Sequence, residues 1–117
     1  MSVADIAQAF TALLKAGDHH AAGMQFNAPD IVSIEAMEGP MARLEGAEAV
    51  AAKVQWWFEN HEVHAMTTEG PFVNGDQFAV VFDTDFTVKA TGVRRHSRDV
   101  GLYTVRDSKI AVERFFC

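Results

Sequence analysis

At Asn60 the spacing of apolar side chains changes period, and this limits the folds open to the chain more than any other feature. Before Asn60 apolar residues recur at helical spacing; after it they fall into short runs separated by turn residues. Ile6, Phe10, Leu13 and Leu14 mark a first helix. Ser2 and Asp5 provide a capping box at its start, and Gly17 suits its end. Asp18 can cap a short helix reaching Phe26. A break is expected at Ala28-Pro29-Asp30, followed by a strand from Ile31 to Glu35 and a turn at Gly39-Pro40. From Ala47, the residues Val50, Ala51, Val54, Trp57 and Phe58 form one apolar stripe of a long helix ending in Trp56-Trp57-Phe58. Trp56 falls off that stripe, which leaves it to cover a neighbouring element, a partner subunit or a pocket rim.

The second half reads as strands. Val63 to Thr68 leads through Gly70-Pro71 to Phe72-Val73, and Asn74-Gly75-Asp76 is a strong hairpin signal. Strands are expected from Phe78 to Lys89, from about Arg94 to Val105 and from Ile110 to Phe116. The breaks fall at Ala90-Thr91-Gly92 and Arg106-Asp107-Ser108-Lys109. Helices first and antiparallel strands later give an α+β domain, with the helices covering one face of a curved sheet. Both faces of the 78–89 strand are partly apolar, so its parity stays open. Asp83 and Asp85 alternate with Phe82, Thr84 and Phe86, which reads as polar-out and aromatic-in.

Composition narrows the function classes. A chain of 117 residues is one domain, and a net charge of −6 argues against nucleic acid as a general partner. Arg94, Arg95, His96 and Arg98 are the only basic cluster, and a solvated strand end accounts for them. Cys117 is the lone cysteine, so no internal disulfide forms and a reducing, cytoplasmic setting is expected. No run is long and apolar enough for a membrane span, and the start carries no signal-peptide pattern. No elbow motif or phosphate-cradling glycine loop is present, and no cofactor is implied.

The chemistry-bearing candidates are acids. Glu35 ends a short apolar strand, where Val54 and the rings of Phe10, Trp57 and Phe58 would wall a pocket around it. A buried carboxyl there needs a partner or must keep its proton, and either state suits acid–base work. Asp99 and Glu113 fall on neighbouring strands. They pair by sharing a proton if both face inward, or join surface salt bridges beside Arg98 and Arg114. Tyr103 is the only tyrosine and its hydroxyl will seek a partner if buried. His61 follows the aromatic helix as a pocket-rim candidate. His61 and His64 would approach one metal only if the helix continued through both, and no third ligand has suitable spacing, so no metal site is expected.

The order of elements resembles the NTF2-like superfamily, the cone-shaped fold of ketosteroid isomerases and SnoaL-like polyketide cyclases. Leu13-Leu14-Lys15-Ala16-Gly17-Asp18, Ala28-Pro29-Asp30, Leu44-Glu45-Gly46-Ala47-Glu48-Ala49-Val50, Gly70-Pro71 with Asn74-Gly75-Asp76, and Tyr103-Thr104-Val105 before Lys109-Ile110 carry the likeness. The texture is that of small SnoaL-like proteins. The resemblance implies a pocket enclosed by a bent sheet, and a homodimer through the outer sheet face. It matches Glu35 to the general base of the isomerases and puts Ala111, Glu113 and Phe115 on a pocket-lining face. Phe10 stands where those enzymes place an oxyanion-hole tyrosine, and Gly101 stands about where they place a second, protonated acid. Steroid isomerisation is therefore not expected; a donor would come from Asp99 or Tyr103 instead. Two functional expectations follow. One is a cofactor-independent isomerase, cyclase or dehydratase acting on a small apolar carbonyl compound. The other is a non-catalytic module that binds a hydrophobic ligand or dimerises.

Overall fold

The computed structural model describes residues 1–117. Three helices, α1 (Val3–Lys15), α2 (His19–Phe26) and α3 (Ala47–Asn60), pack on one six-stranded sheet. Its strands are β1 (Asn27–Ile34), β2 (Arg43–Glu45), β3 (His61–Asn74), β4 (Gln77–Val88), β5 (Val93–Arg106) and β6 (Lys109–Phe116). The sheet order is β2-β1-β6-β5-β4-β3, and every pairing is antiparallel except β1 with β6. This is the expected α+β architecture. The parallel β1–β6 contact joins the chain's two halves and makes the sheet mixed.

Local chemistry sets the ends of the elements. Ser2 and Asp5 form the reciprocal capping box of α1, and Asp18 accepts from the Ala21 backbone to start α2. Two anticipated breaks are absent. The chain runs from α2 straight into β1, because Asn27 both closes the helix and takes an extended conformation. Pro29 is tolerated in β1 because the β1–β6 ladder slips between Asn27 and Val32, where its missing N–H is not needed. Likewise β3 runs through Gly70-Pro71, with a bulge between Glu69 and Phe72. Gly70 has φ +122, and a Cβ there would lie 3.0 Å from the Ala79 carbonyl oxygen, so the bulge requires glycine. The short strand β2 was not anticipated as a strand at all.

The core lies between the sheet's inner face and α1. Ile6, Phe10 and Leu14 of α1 meet Phe26, Ile31, Val50, Phe78, Val80, Tyr103 and Ile110. Each large apolar side chain removed from water there contributes about 1.5–3 kcal/mol. The parity of β4 is now fixed: Phe78, Val80, Thr84 and Phe86 are buried on the inner face. Asp83 and Asp85 therefore lie on the outer face, as the alternation indicated. No helix is long and apolar enough to cross a membrane.

Candidate functional site

Four strand-derived groups and one helical residue converge on the inner face. Ser33 lies near the end of β1 and is fully buried. Glu35 follows two residues later on the same side, just past the strand end, where its backbone N–H donates to the Ala42 carbonyl at 2.8 Å. In the parallel register Ser33 stands beside Glu113 of β6, and in the antiparallel register Glu113 stands opposite Tyr103 of β5. Lys53 closes the cluster from α3. Its ammonium donates to the Ser33 hydroxyl and to Glu35 Oε1 at 2.7 Å, and it sits 5.0 Å from the centre of the Phe115 ring.

Sequence reading missed Lys53. The stripe expected on α3 ran through Val50, Ala51, Val54, Trp57 and Phe58; the face turned to the sheet keeps Val50 and Trp57 of these and adds Lys53. Val54 and Phe58 line a different surface hollow, of about 420 Å³, with Gly17, Asp18, His19 and His20. Phe58 packs against His19 at 5.1 Å between ring centres, which half-buries the imidazole; burial lowers its pKa. The available signal was positional, since Lys53 falls three residues after Val50 and four before Trp57. A lysine can occupy such a stripe because its stem is apolar and only its head needs polar partners.

Tyr103 is buried among Phe10, Phe78 and Phe115, stacked on Phe78 at 5.0 Å and edge-on to Phe10 at 5.0 Å. Gly101 makes this possible. A Cβ at Gly101 would meet the Tyr103 hydroxyl and ring at 3.0 Å and the Phe82 ring at 3.1 Å. The tyrosine thus lies back along its own strand, and its hydroxyl fills the space a side chain at position 101 would take. Phe10, read from the sequence as a core residue that also walls the pocket, is buried in the core, where it supports Tyr103 and Phe26.

Burial shifts the ionisation of these groups in one direction. Glu113 is pushed up to about 7, chiefly by burial; Lys53 opposes the shift, Glu35 adds to it, and the nearby Ser33 hydroxyl opposes it. The Tyr103 phenol is held well above its usual range by burial, and further by the charges of Glu113 and Glu35. Asp99 is raised by partial burial and by Glu35, against a weak contact from the Ser97 hydroxyl.

Asp99 and Glu113 do not form the carboxyl pair considered from the sequence. Tyr103 is the partner of Glu113, and Asp99 lies four residues further along β5, about 13 Å at strand rise. Neither do they join Arg98 and Arg114 in surface bridges: Arg98 pairs with Glu69 and Asp83, and Arg114 lies over Phe116. His61 stands apart from the acids. It stacks on Trp57 at 4.4 Å, meets Phe86 edge-on, and its Nδ1 is 2.6 Å from the Trp57 carbonyl oxygen. A carbonyl only accepts, so Nδ1 carries the hydrogen and Nε2 is the free nitrogen. No three His, Cys, Asp or Glu side chains are grouped closely enough to share a metal ion.

This fold, three helices packed on a bent six-stranded sheet, recurs in known proteins. The family model for the SnoaL-like domain matches residues 1–117. A Mesorhizobium loti protein assigned to the SnoaL-like polyketide cyclases is 57% identical over 100% of both chains, with a TM-score of 0.98. An NTF2-like protein from Burkholderia xenovorans is 28% identical over 97% of this chain and 87% of its own, with a TM-score of 0.74. A cystatin-like protein of unknown function from Xanthomonas campestris shares the fold at 21% identity, covering 99% and 90%, with a TM-score of 0.81. No protein with a curated description matches the chain. The chain belongs to the SnoaL-like domain family.

Proposed function

We propose that the inner-face cluster is an acid–base site acting on a small, mostly apolar carbonyl compound without a cofactor. One observation carries this reading: Glu113 is 7% exposed, burial pushes its carboxyl up to about 7, and it shares its surroundings with Glu35, Tyr103 and Lys53. A buried acid poised near neutral pH is costly for a purely structural protein and well matched to proton transfer. Glu35 takes a proton from the carbon beside the carbonyl, and the C–H electron pair becomes the C=C bond of an enolate. Tyr103 and protonated Glu113 donate to the oxygen where negative charge develops. Returning the proton to another carbon gives an isomer. If a β-hydroxyl leaves instead, the proton of Glu113 departs with it as water, and the proton on Glu35 then replaces it. Asp99 would contact the more open end of such a substrate.

The test is a thermal-shift screen of small carbonyl compounds on the wild type and Glu35→Gln, followed by turnover assays on the compounds that bind. Binding to both proteins with turnover by the wild type alone is the expected result, with a loss of about 10²–10⁴-fold in the variant. Binding without turnover by either protein favours the second reading, a non-catalytic ligand-binding or dimerisation module. The outer sheet face supports that reading, because Phe72 and Phe116 are 57% and 48% exposed there. A homodimer through this face, in the cytoplasm, is compatible with either function, and sedimentation of Phe72→Asp against the wild type tests it.

A further inference from the structure

Lys53 is the one cation that meets both β1 and β6 on the inner face. Its ammonium has three hydrogens. Two contacts are oxygens, on Ser33 and Glu35, and the Phe115 ring covers a further side. Its side chain is 11% exposed against 35% for Glu35, so the cation sits beneath the carboxylate it holds. A ligand anion could reach Lys53 only by displacing one of these partners. Glu113 is faced by Ser33 from β1, Glu35 from the segment after it, Lys53 from α3 and Tyr103 from β5, with Asp99 further along β5 toward Glu35. Arg114, its neighbour on β6, belongs to the opposite face and lies over Phe116. One ammonium thus stands near two carboxyls, and of the two it donates a hydrogen bond to Glu35.

We propose that Lys53 is a positioning residue that gives the two carboxyls different tasks, holding Glu35 in a fixed pose through a direct ion pair and leaving buried Glu113, with no cation in contact, as the proton donor. This deepens the acid–base reading and rests on it for its use in catalysis. The division of charge itself is measurable without a substrate. Lys53 touches Glu35 directly, through an ion pair hydrogen-bonded at 2.7 Å. Glu113 feels the same cation only through space, and burial outweighs that attraction.

The experiment is a carbon-detected NMR titration of side-chain carboxyls in the full chain. A carboxyl titrating near neutrality is expected in the wild type and is lost in Glu113→Gln. Lys53→Met should move that midpoint to higher pH, Glu35→Gln should move it to lower pH, and Lys53→Arg should restore it close to the wild-type value. A near-neutral titration that survives in Glu113→Gln would place the proton elsewhere and overturn the proposal. So would an unmoved midpoint in a folded Lys53→Met. If Lys53→Met does not fold, Glu35→Gln decides: a midpoint that fails to fall sinks the idea. Absence of turnover with every compound would remove the catalytic reading while leaving this division of charge standing.

Discussion

The two faces of the sheet carry the same kinds of side chain and treat them in opposite ways. On the outer face Asp83 meets His96 and Arg98, and Asp85 meets Arg94 through two hydrogen bonds. Those partners lower both aspartates, His96 foremost for Asp83 and Arg94 foremost for Asp85, and His96 rises in return. On the inner face burial raises Glu113 against the nearby Lys53 and raises Asp99 against the Ser97 hydroxyl. Asp99 lies on β5 between outward Arg98 and outward Val100, yet it is shifted opposite to the outer aspartates. Solvent and pairing, rather than residue type, decide whether a carboxyl here is an inert surface charge or a proton-exchanging group.

The largest effect that would break this contrast is the pH dependence of stability carried by Glu113. Between the ordinary glutamate value of 4.5 and about 7, the folded chain keeps a proton that the unfolded chain has released. Its contribution is therefore fully present at low pH and is lost as pH rises toward 7, by about 3 kcal/mol at 1.36 kcal/mol per pKa unit. Denaturant melts at several pH values should show the stability of Glu113→Gln relative to wild type rising across that window. A flat difference would mean that the inner acid is no more perturbed than the outer ones.

A second experiment sharpens the inner face itself. Gly101→Ala puts a Cβ 3.0 Å from the Tyr103 ring and hydroxyl, so the ring must shift within a packed aromatic cluster. A loss of about 1–3 kcal/mol is expected, with a changed Tyr103 environment in near-ultraviolet circular dichroism. Thr11 gives a smaller effect of opposite sign. Its hydroxyl is buried without a hydrogen-bond partner, so Thr11→Val should raise stability by about 1 kcal/mol in thermal melts. The smallest effect belongs to the outer face. Asp85→Asn removes stability that is present at neutral pH and lost as pH falls through the lowered carboxyl value. This difference should fade in high salt, because the pair is solvated.

Much of this molecule can be read from short-range pattern. The capping box at Ser2 and Asp5, the turns at Asn74–Asp76 and Arg106–Lys109, and the placing of Asp83 and Asp85 opposite Phe86 all follow from neighbours a few residues apart. Asp107 and Ser108 take the positive φ that the last turn needs, at 53° and 63°. The site was legible in part. Glu35, Asp99, Tyr103, Glu113 and Phe115 all face inward, but Val54, Phe58 and His61 are held elsewhere, and Phe10 belongs to the core. The α3 reading held Val50 and Trp57 but left out Lys53, because a face through residues 50, 54 and 58 and one through 50, 53 and 57 differ by a small rotation. The sheet's position, and not the helix's composition, chooses between them.

By itself the sequence determined the α+β class, the position of most elements and the presence of several acids on strands that could face a core. These depend on backbone preference and hydrophobic period, which act over a turn of helix or a few strand residues. Only the tertiary structure decided which charges meet. Ser33 reaches Glu113 through a parallel pairing that spans most of the chain, and Lys53 arrives from a helix between them. Such contacts depend on register and helix rotation, which are fixed by packing of the whole core. The perturbed acid arises there because burial is a property of the assembled fold, not of any segment of it.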